Sequence, residues 1–294
     1  MTWWDCGSLQ RPVQWRKHRA QTGSQKRHQA YTDQNCVEEM ADYSVLITGA
    51  NRGIGLELVR QITETQKPLS KVFACCRDPD GPKAQALKAL AEKHPDVIMV
   101  IRMDVADPKS IQQAALQVGS VVGKSGVNVV INNAALAFYG SLSESTTEQM
   151  TSTFNTNVIG PMVVIQEFLP HLRAAAKVHG KPGMSCRKAA VINVSTLGSS
   201  IELAKEQYVQ FKLLPYRTSK AALNMLSVCA SVDLQKDEVL CVLLHPGWVR
   251  TDMGGPNAEL DVQESVQGML KVMESMSEKH TGALLDYCGH TIPW

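Results

Sequence analysis

The stretch Val45-Leu46-Ile47-Thr48-Gly49-Ala50-Asn51-Arg52-Gly53-Ile54-Gly55 passes from a short apolar run into a glycine-spaced turn, and the residues after it have helical periodicity. Glycines at such a turn let the backbone come close to a pyrophosphate, and the helix opening at Gly53-Ile54-Gly55 offers its free N–H groups to that charge. The spacing here is G-x-x-x-G-x-G rather than the commoner G-x-G-x-x-G, so the turn alone carries little weight. Far downstream, Tyr216-Arg217-Thr218-Ser219-Lys220 places a phenol and an ammonium four residues apart, on one face of a helix. Such a pair is common on solvated helices. In this order after a glycine turn, it points to a redox enzyme.

Working outward, apolar runs rich in Val and Ile recur at 43–48, 71–76, 97–102, 127–132, 189–195, 238–245 and 283–286. Runs with so few polar interruptions are those buried on both faces, as in a parallel sheet covered by helices. Between them, 53–66, 82–94, 108–122, 146–176, 215–235 and 261–275 have helical length and periodicity. The alternation predicts a doubly wound, mostly parallel α/β sheet of Rossmann type in a single domain over 43–294, with a basic extension over 1–42. The turn-rich segment 177–188 is expected to be a surface loop, and an irregular stretch over 197–214 is expected to overhang the site.

Composition narrows the function classes. The chain has 294 residues and is 44% hydrophobic, enough for a substantial core, and no apolar run reaches the ~20 residues a membrane helix requires. Its eight cysteines show no C-x-x-C spacing, which argues against a zinc site or a disulfide framework and fits a reducing, cytoplasmic setting. The formal charge of +2 is uneven: residues 1–32 carry six Lys or Arg against Asp5 alone. A mitochondrial presequence or a nucleic-acid arm would share that bias, but the segment lacks an apolar stripe, and Trp3, Trp4 and Trp15 are unusual in a transit peptide. A disordered extension accounts for the composition, so no nucleic-acid or membrane partner is expected.

Beside the glycine turn and the Tyr216/Lys220 pair stand Asp104-Val105 after the third strand, Asn132-Asn133-Ala134-Ala135 after the fourth and Asn157 in Thr156-Asn157-Val158-Ile159-Gly160. Asn193-Val194-Ser195-Thr196 follows the fifth strand, and Pro246-Gly247-Trp248-Val249-Arg250-Thr251-Asp252-Met253 the sixth. Through these motifs the chain resembles the short-chain dehydrogenase/reductase family over residues 43–294. Tyr-Arg-Thr-Ser-Lys, His-Pro-Gly-Trp-Val-Arg-Thr-Asp-Met-Gly-Gly and the terminal Ile292-Pro293-Trp294 look most like sniffer-type carbonyl reductases and bacterial C-signal proteins.

The resemblance implies NADPH-dependent reduction of a ketone, aldehyde or quinone. Tyr216 would be the proton donor, and Lys220 would lower its pKa from about 10 and hold the nicotinamide ribose. Asn157 would anchor a water connecting the lysine to solvent, and Thr196 would polarise the carbonyl. The implied cofactor contacts are Gly49, Asn51, Arg52, Gly53, Ile54, Gly55, Arg77, Asp104, Val105, Asn133, Ala134, Tyr216, Lys220, Val249 and Thr251. NADP is favoured over NAD because the second strand ends in Cys75-Cys76-Arg77 without an acid, and Arg52 lies in the glycine turn.

The sequence departs from the family in two places. Thr196 stands where relatives carry serine, keeping the hydroxyl but adding a methyl, and Ala135 replaces a glycine, at a cost of roughly 1 kcal/mol only if that position needs positive φ. Leu136, Phe138, Tyr139, Leu213, Leu214, Trp248 and Met253 suggest an apolar pocket wall. A catalytically weak NADP-binding sensor or signalling protein is the alternative reading, and a homodimer is left open. Deleting residues 1–40 is expected to leave folding and turnover nearly intact; a large drop in melting temperature would show that the tryptophan-bearing arm docks on the domain.

Overall fold

A computed structural model of the chain describes residues 43–64, 69, 71–178 and 182–294; the basic extension over 1–42 lies outside the described residues. Seven parallel strands form one sheet: β1 (Ser44–Thr48), β2 (Lys71–Cys76), β3 (Ile98–Arg102), β4 (Val129–Asn132), β5 (Ala190–Val194), β6 (Leu240–His245) and β7 (Leu284–Asp286). Their order is β3-β2-β1-β4-β5-β6-β7, so the chain reverses its direction of travel between β1 and β4. Each neighbour pair is parallel, making the sheet more uniform than the mostly parallel one expected.

Buried side chains alternate between the two faces of the sheet, as the pleat requires. Val45, Ile47, Val72, Ala74, Val129, Ile131, Val242 and Leu244 enter one core layer, while Leu46, Phe73, Val130, Val191 and Cys241 enter the other. The helices are α1 (Gly53–Glu64), α2 (Gln85–Lys93), α3 (Pro108–Val122), α4 (Thr147–Phe154), α5 (Gly160–Val178), the short α6 (Ala204–Gln207), α7 (Leu214–Asp233) and α8 (Val262–Ser275). The first layer is closed by Leu58, Val59 and Ile62 of α1, Leu87 of α2 and Val266, Met269 and Met273 of α8. The second is closed by Ile111 and Val118 of α3 and by Val164, Phe168 and Leu172 of α5.

Two segments differ from the sequence expectation. The helix anticipated over 146–176 is two helices joined by a π-helical turn at Asn155–Ile159, where the Gly160 N–H reaches back to the Asn155 carbonyl. Residue 161 is proline, so the Asn157 carbonyl cannot receive its α-helical bond. The other is 177–188: α5 continues to Val178, residues 179–181 lie outside the described set, and Met184, Cys186 and Lys188 are buried. Met184 and Cys186 join the core, and the Lys188 ammonium donates to Glu238 at 2.6 Å. Apolar content in a turn-rich segment gave no hint that it plugs the N-terminal end of the sheet.

Asn128 holds that plug. The Ser44 N–H donates to its Oδ1 at 2.9 Å, and its Nδ2 donates to the carbonyls of Arg187 and Lys188 at 3.0 Å each. Each buried polar group left unpaired costs roughly 1–3 kcal/mol. Asn128→Ala is therefore expected to lose on the order of 3 kcal/mol or more, read from the midpoint of urea unfolding; a loss below ~1 kcal/mol would mean that water replaces the amide.

Candidate active site

At the C-terminal ends of β1 and β4, where the sheet order reverses, the glycine turn is fixed by side chains rather than left loose. Thr48 Oγ1 accepts from the N–H groups of Asn133 and Ala134 at 3.0 and 2.9 Å, and Asn133 Nδ2 donates to the carbonyls of Thr48 and Gly49 at 2.9 and 3.2 Å. A β-carbon on Gly55 would stand 2.2 Å from the Gly49 carbonyl oxygen, so the turn folds against the first turn of α1 only because that residue lacks one. No acidic residue occupies the first turn of α1, and its positive end is left for an anion. Ile54 packs on the core, and Asn51 Nδ2 donates to the Lys83 carbonyl at 3.3 Å. This cradle fits a dinucleotide pyrophosphate.

Arg77 is exposed at the end of β2; its carbonyl accepts from the Arg102 guanidinium at 3.2 Å, while its own guanidinium has no hydrogen bond or ion pair among the described residues. The acids that follow it are engaged elsewhere. Arg102, paired with Cys76 in the adjacent strand, reaches Asp78 at 3.6 Å and Asp80 at 2.8 Å, and Lys88 also holds Asp80 at 3.0 Å. Arg102 escaped the sequence reading because its importance follows from strand register. Arg52 does not join Arg77; it pairs with Asp252 at 2.5 Å. Asp104 Oδ1 accepts from the Ala106 N–H at 3.0 Å, a turn-forming bond. The Val105 carbonyl lies 2.5 Å from where a β-carbon of Gly160 would be, so this segment seats the start of α5.

The remaining predicted residues converge beyond β4 and β5. Lys220 is buried on α7, and its ammonium donates to the carbonyl of Val194, the last residue of β5, at 2.6 Å. It lies 5.9 Å from the centre of the Tyr216 ring. The Thr196 side chain stands beside the Tyr216 phenol and draws its pKa down, and Thr196 Oγ1 accepts from the Gly198 N–H at 3.1 Å. Ser195 faces away, donating to Asn224 Oδ1 at 2.7 Å within a buried group that includes Ser199. Consecutive residues of an extended strand alternate sides, and Thr196 is the one on the Tyr216 side.

Asn157 is wholly buried in the π turn. The Leu136 N–H donates to its Oδ1, while its Nδ2 donates to the Leu136 carbonyl, at 2.8 Å each, and also to Ser219 Oγ at 3.0 Å. Ser219 in turn donates to the Tyr216 carbonyl at 2.7 Å. The asparagine side chain thereby ties the segment after β4 to α7, and its backbone carbonyl has no α-helical donor because residue 161 is proline. Pro161 and Ser219 were not singled out from sequence, although a proline four residues after the asparagine was the available signal.

The electrostatics depart from expectation. Burial pushes the Tyr216 phenol up to about 12, against a smaller downward pull from the Thr196 hydrogen bond, and burial brings the Lys220 ammonium down to about 7. Burial is the dominant influence on both groups, since each charged form loses its hydration. Ala135 causes no strain: Glu238 is the only non-glycine with positive φ among the described residues, so the alanine is a mild exchange.

Three loops meet above this cluster. Gly140 N–H donates to the Lys212 carbonyl at 2.7 Å and Leu214 N–H to the Gly140 carbonyl at 3.1 Å, joining the segment after β4 to the one preceding Tyr216. Phe211 meets Trp248 edge-on at 5.1 Å, bringing in the loop after β6. In that loop Val249 is buried and bridges Leu260, and Thr251 Oγ1 accepts from the Gly254 N–H at 3.1 Å. Tyr139, Trp248 and Met253 remain exposed at this end, consistent with an apolar mouth.

Comparison with known proteins agrees with this architecture. A family model described as short chain dehydrogenase matches residues 43–261. An NADPH-bound carbonyl reductase from chicken fatty liver superposes with a TM-score of 0.81 at 45% identity, over 85% of this chain and 98% of its own. The carbonyl reductase Sniffer of D. melanogaster does so at 0.81 and 34%, over 85% and 99%. The C-signal protein of Myxococcus xanthus is 40% identical over 169 residues, 57% of this chain and 93% of its own. Alignment and geometry converge on one conclusion: the chain belongs to the short-chain dehydrogenase family of oxidoreductases.

Proposed function

We propose that the protein is an NADPH-dependent carbonyl reductase, with Tyr216, Thr196, Lys220 and Asn157 acting on the substrate end and the glycine turn and Arg77 holding the cofactor. The observation that carries this reading is the meeting of a buried phenol, the Thr196 hydroxyl beside it and a buried ammonium 5.9 Å from its ring. The similarity to an NADPH-bound carbonyl reductase supports the same choice of cofactor and reaction. Bound NADPH would supply the hydride that reduces the carbonyl carbon.

The chain's residues manage the oxygen. As negative charge develops there, Tyr216 gives up its phenolic proton and Thr196 donates a hydrogen bond, both in a site from which burial excludes water. A phenol held near 12 keeps its proton at neutral pH, so the donor is loaded before substrate arrives. Lys220, held near 7, can return a proton to the phenolate without a large uphill step. Val194, whose carbonyl accepts from the ammonium, fixes its direction. The backbone carbonyl of Asn157, deprived of its α-helical donor by Pro161, supplies an acceptor on which a water reaching toward Lys220 can be held.

A second reading, a dinucleotide-binding sensor with weak catalysis, is favoured by the high phenol pKa and the C-signal similarity. A panel of aromatic ketones, aldehydes and quinones assayed with NADPH and NADH in parallel separates the two: NADPH consumption supports the reductase, and binding without turnover supports the sensor.

Tyr216→Phe is expected to lower kcat by about 10²-fold or more while leaving NADPH affinity nearly unchanged, since general acid catalysis contributes that order. Retention of more than a few per cent of turnover would remove Tyr216 from the proton-donor role. Thr196→Ala is expected to cost about 10²-fold in kcat, whereas Ser195→Ala leaves Asn224 without its donor and lowers stability with little effect on kcat. Steady-state rates alongside thermal melts check this ranking, and its reversal would assign the catalytic hydroxyl to Ser195.

A further inference from the structure

We propose that Asp286, Cys288 and His290, in the turn that follows β7, form a binding site for a divalent metal ion of zinc type, with three protein ligands and a fourth position open to water. The site shares no residue with the candidate catalytic cluster and does not rest on the reaction proposed above. A carboxylate oxygen, a sulfur and an imidazole nitrogen from these residues lie within 4.8 Å of one another. The D-x-C-x-H spacing supplies one ligand of each kind, which the absence of paired cysteines does not reveal.

The turn is set by the fold before any ion binds. The Asp286 N–H donates to the His290 carbonyl at 2.8 Å and the Gly289 N–H to the Asp286 carbonyl at 2.9 Å, while Leu285 bridges Thr291 in the antiparallel sense. Gly289, at φ +91°, takes the backbone conformation that this reversal requires. Asp286 Oδ1 accepts from the N–H groups of Cys288 and His290 at 2.9 and 2.8 Å, which fixes the carboxylate. Tyr287, between the first two ligands, is wedged between two glycines. A β-carbon on Gly268 of α8 would stand 2.7 Å from the Tyr287 carbonyl oxygen and 2.8 Å from its ring, and one on Gly247 would stand 3.1 Å from the ring. An ion therefore has only the thiol and the imidazole left to order, and the entropic cost of binding is small.

The separations suit the ion. Two atoms held at about 2.0–2.1 Å by a tetrahedral zinc stand about 3.3 Å apart, and Asp286 Oδ2 lies 3.1 Å from His290 Nδ1. The imidazole would bind through Nδ1 with its proton on Nε2, and the thiol would release its proton to solvent as the sulfur–metal bond forms. Carboxylate and thiolate then bring two negative charges against the two positive charges of the ion. No lysine or arginine pairs with Asp286 among the described residues, so no fixed cation competes for it. Thiolate and imidazole ligands select zinc over Mg2+ or Ca2+, which take oxygen donors.

Full-length protein freed of metal by a chelator and kept reduced is titrated with Zn2+ by calorimetry and with Co2+ by absorption, beside Cys288→Ser, His290→Ala and Cys229→Ser. Cys229 is the other exposed cysteine among the described residues and serves as the control. The three positions are exposed, and thermal melts verify that each variant folds. Wild type and Cys229→Ser should bind one Zn2+ per chain, show a thiolate-to-cobalt charge-transfer band and gain melting temperature with Zn2+. Cys288→Ser and His290→Ala should each weaken Zn2+ by about tenfold or more, since changes outside the ligand shell alone cost 10–100-fold. Cys288→Ser should also lose the cobalt band. The site is overturned if wild type does not bind Zn2+ at micromolar concentration, if the cobalt band survives in Cys288→Ser, or if Zn2+ affinity is unchanged in either ligand variant, which would place the ion on other residues.

Discussion

A buried ammonium must find an acceptor, and for Lys220 that acceptor is the carbonyl of Val194 at the end of β5. This bond sets the height of α7 against the sheet. With the height fixed, the helical spacing of four residues fixes Tyr216, and the alternation of β5 decides that Thr196 rather than Ser195 meets it. The Ser195 hydroxyl is then free to bond Asn224 on α7, which ties the same helix to the same strand end a second time. Strand register, helix position and the candidate catalytic cluster are consequences of one another, so a shift in any of them would disturb all three.

The cost of this arrangement is desolvation. Taken out of water together, the phenol moves up and the ammonium moves down. At neutral pH the phenol thus keeps its proton while the ammonium stands near its titration midpoint, and a change in electrostatic surroundings during reaction can move a proton over a short range. The polar chain beside it, in which Asn132 donates to Asn193 at 2.8 Å and Asn193 to Ser227 at 2.8 Å, extends the connection between sheet and helix without adding charge.

The strands were legible because a parallel sheet covered on both faces forces nearly unbroken apolar runs, and 44–48, 71–76 and 190–194 show this plainly. Tyr216, Lys220, Thr196 and Asn157 were legible as motif residues, and the fold brings them to one place. What sequence could not give were properties decided by distant partners. The pairing of Arg52 with Asp252, far along the chain, is one of them. Met184 and Cys186 looked like loop residues because the hollow they fill is built by other elements. The burial that raises the Tyr216 phenol was not legible, because the attraction of the ammonium is visible in a four-residue spacing, whereas burial depends on everything packed above it.

Pro161 gives the π turn a permanence that a hydrogen-bonded structure lacks. Where an acceptor is exposed by thermal opening of a helix, its availability is a population that changes with temperature, crowding and ligand. Here the missing donor is removed by the covalent structure of the imino acid, so no fluctuation of α5 can close the Asn157 carbonyl with an α-helical bond. The acceptor is in this sense written into the primary structure. A conduit built on it could not be shut by an α-helical bond at this position.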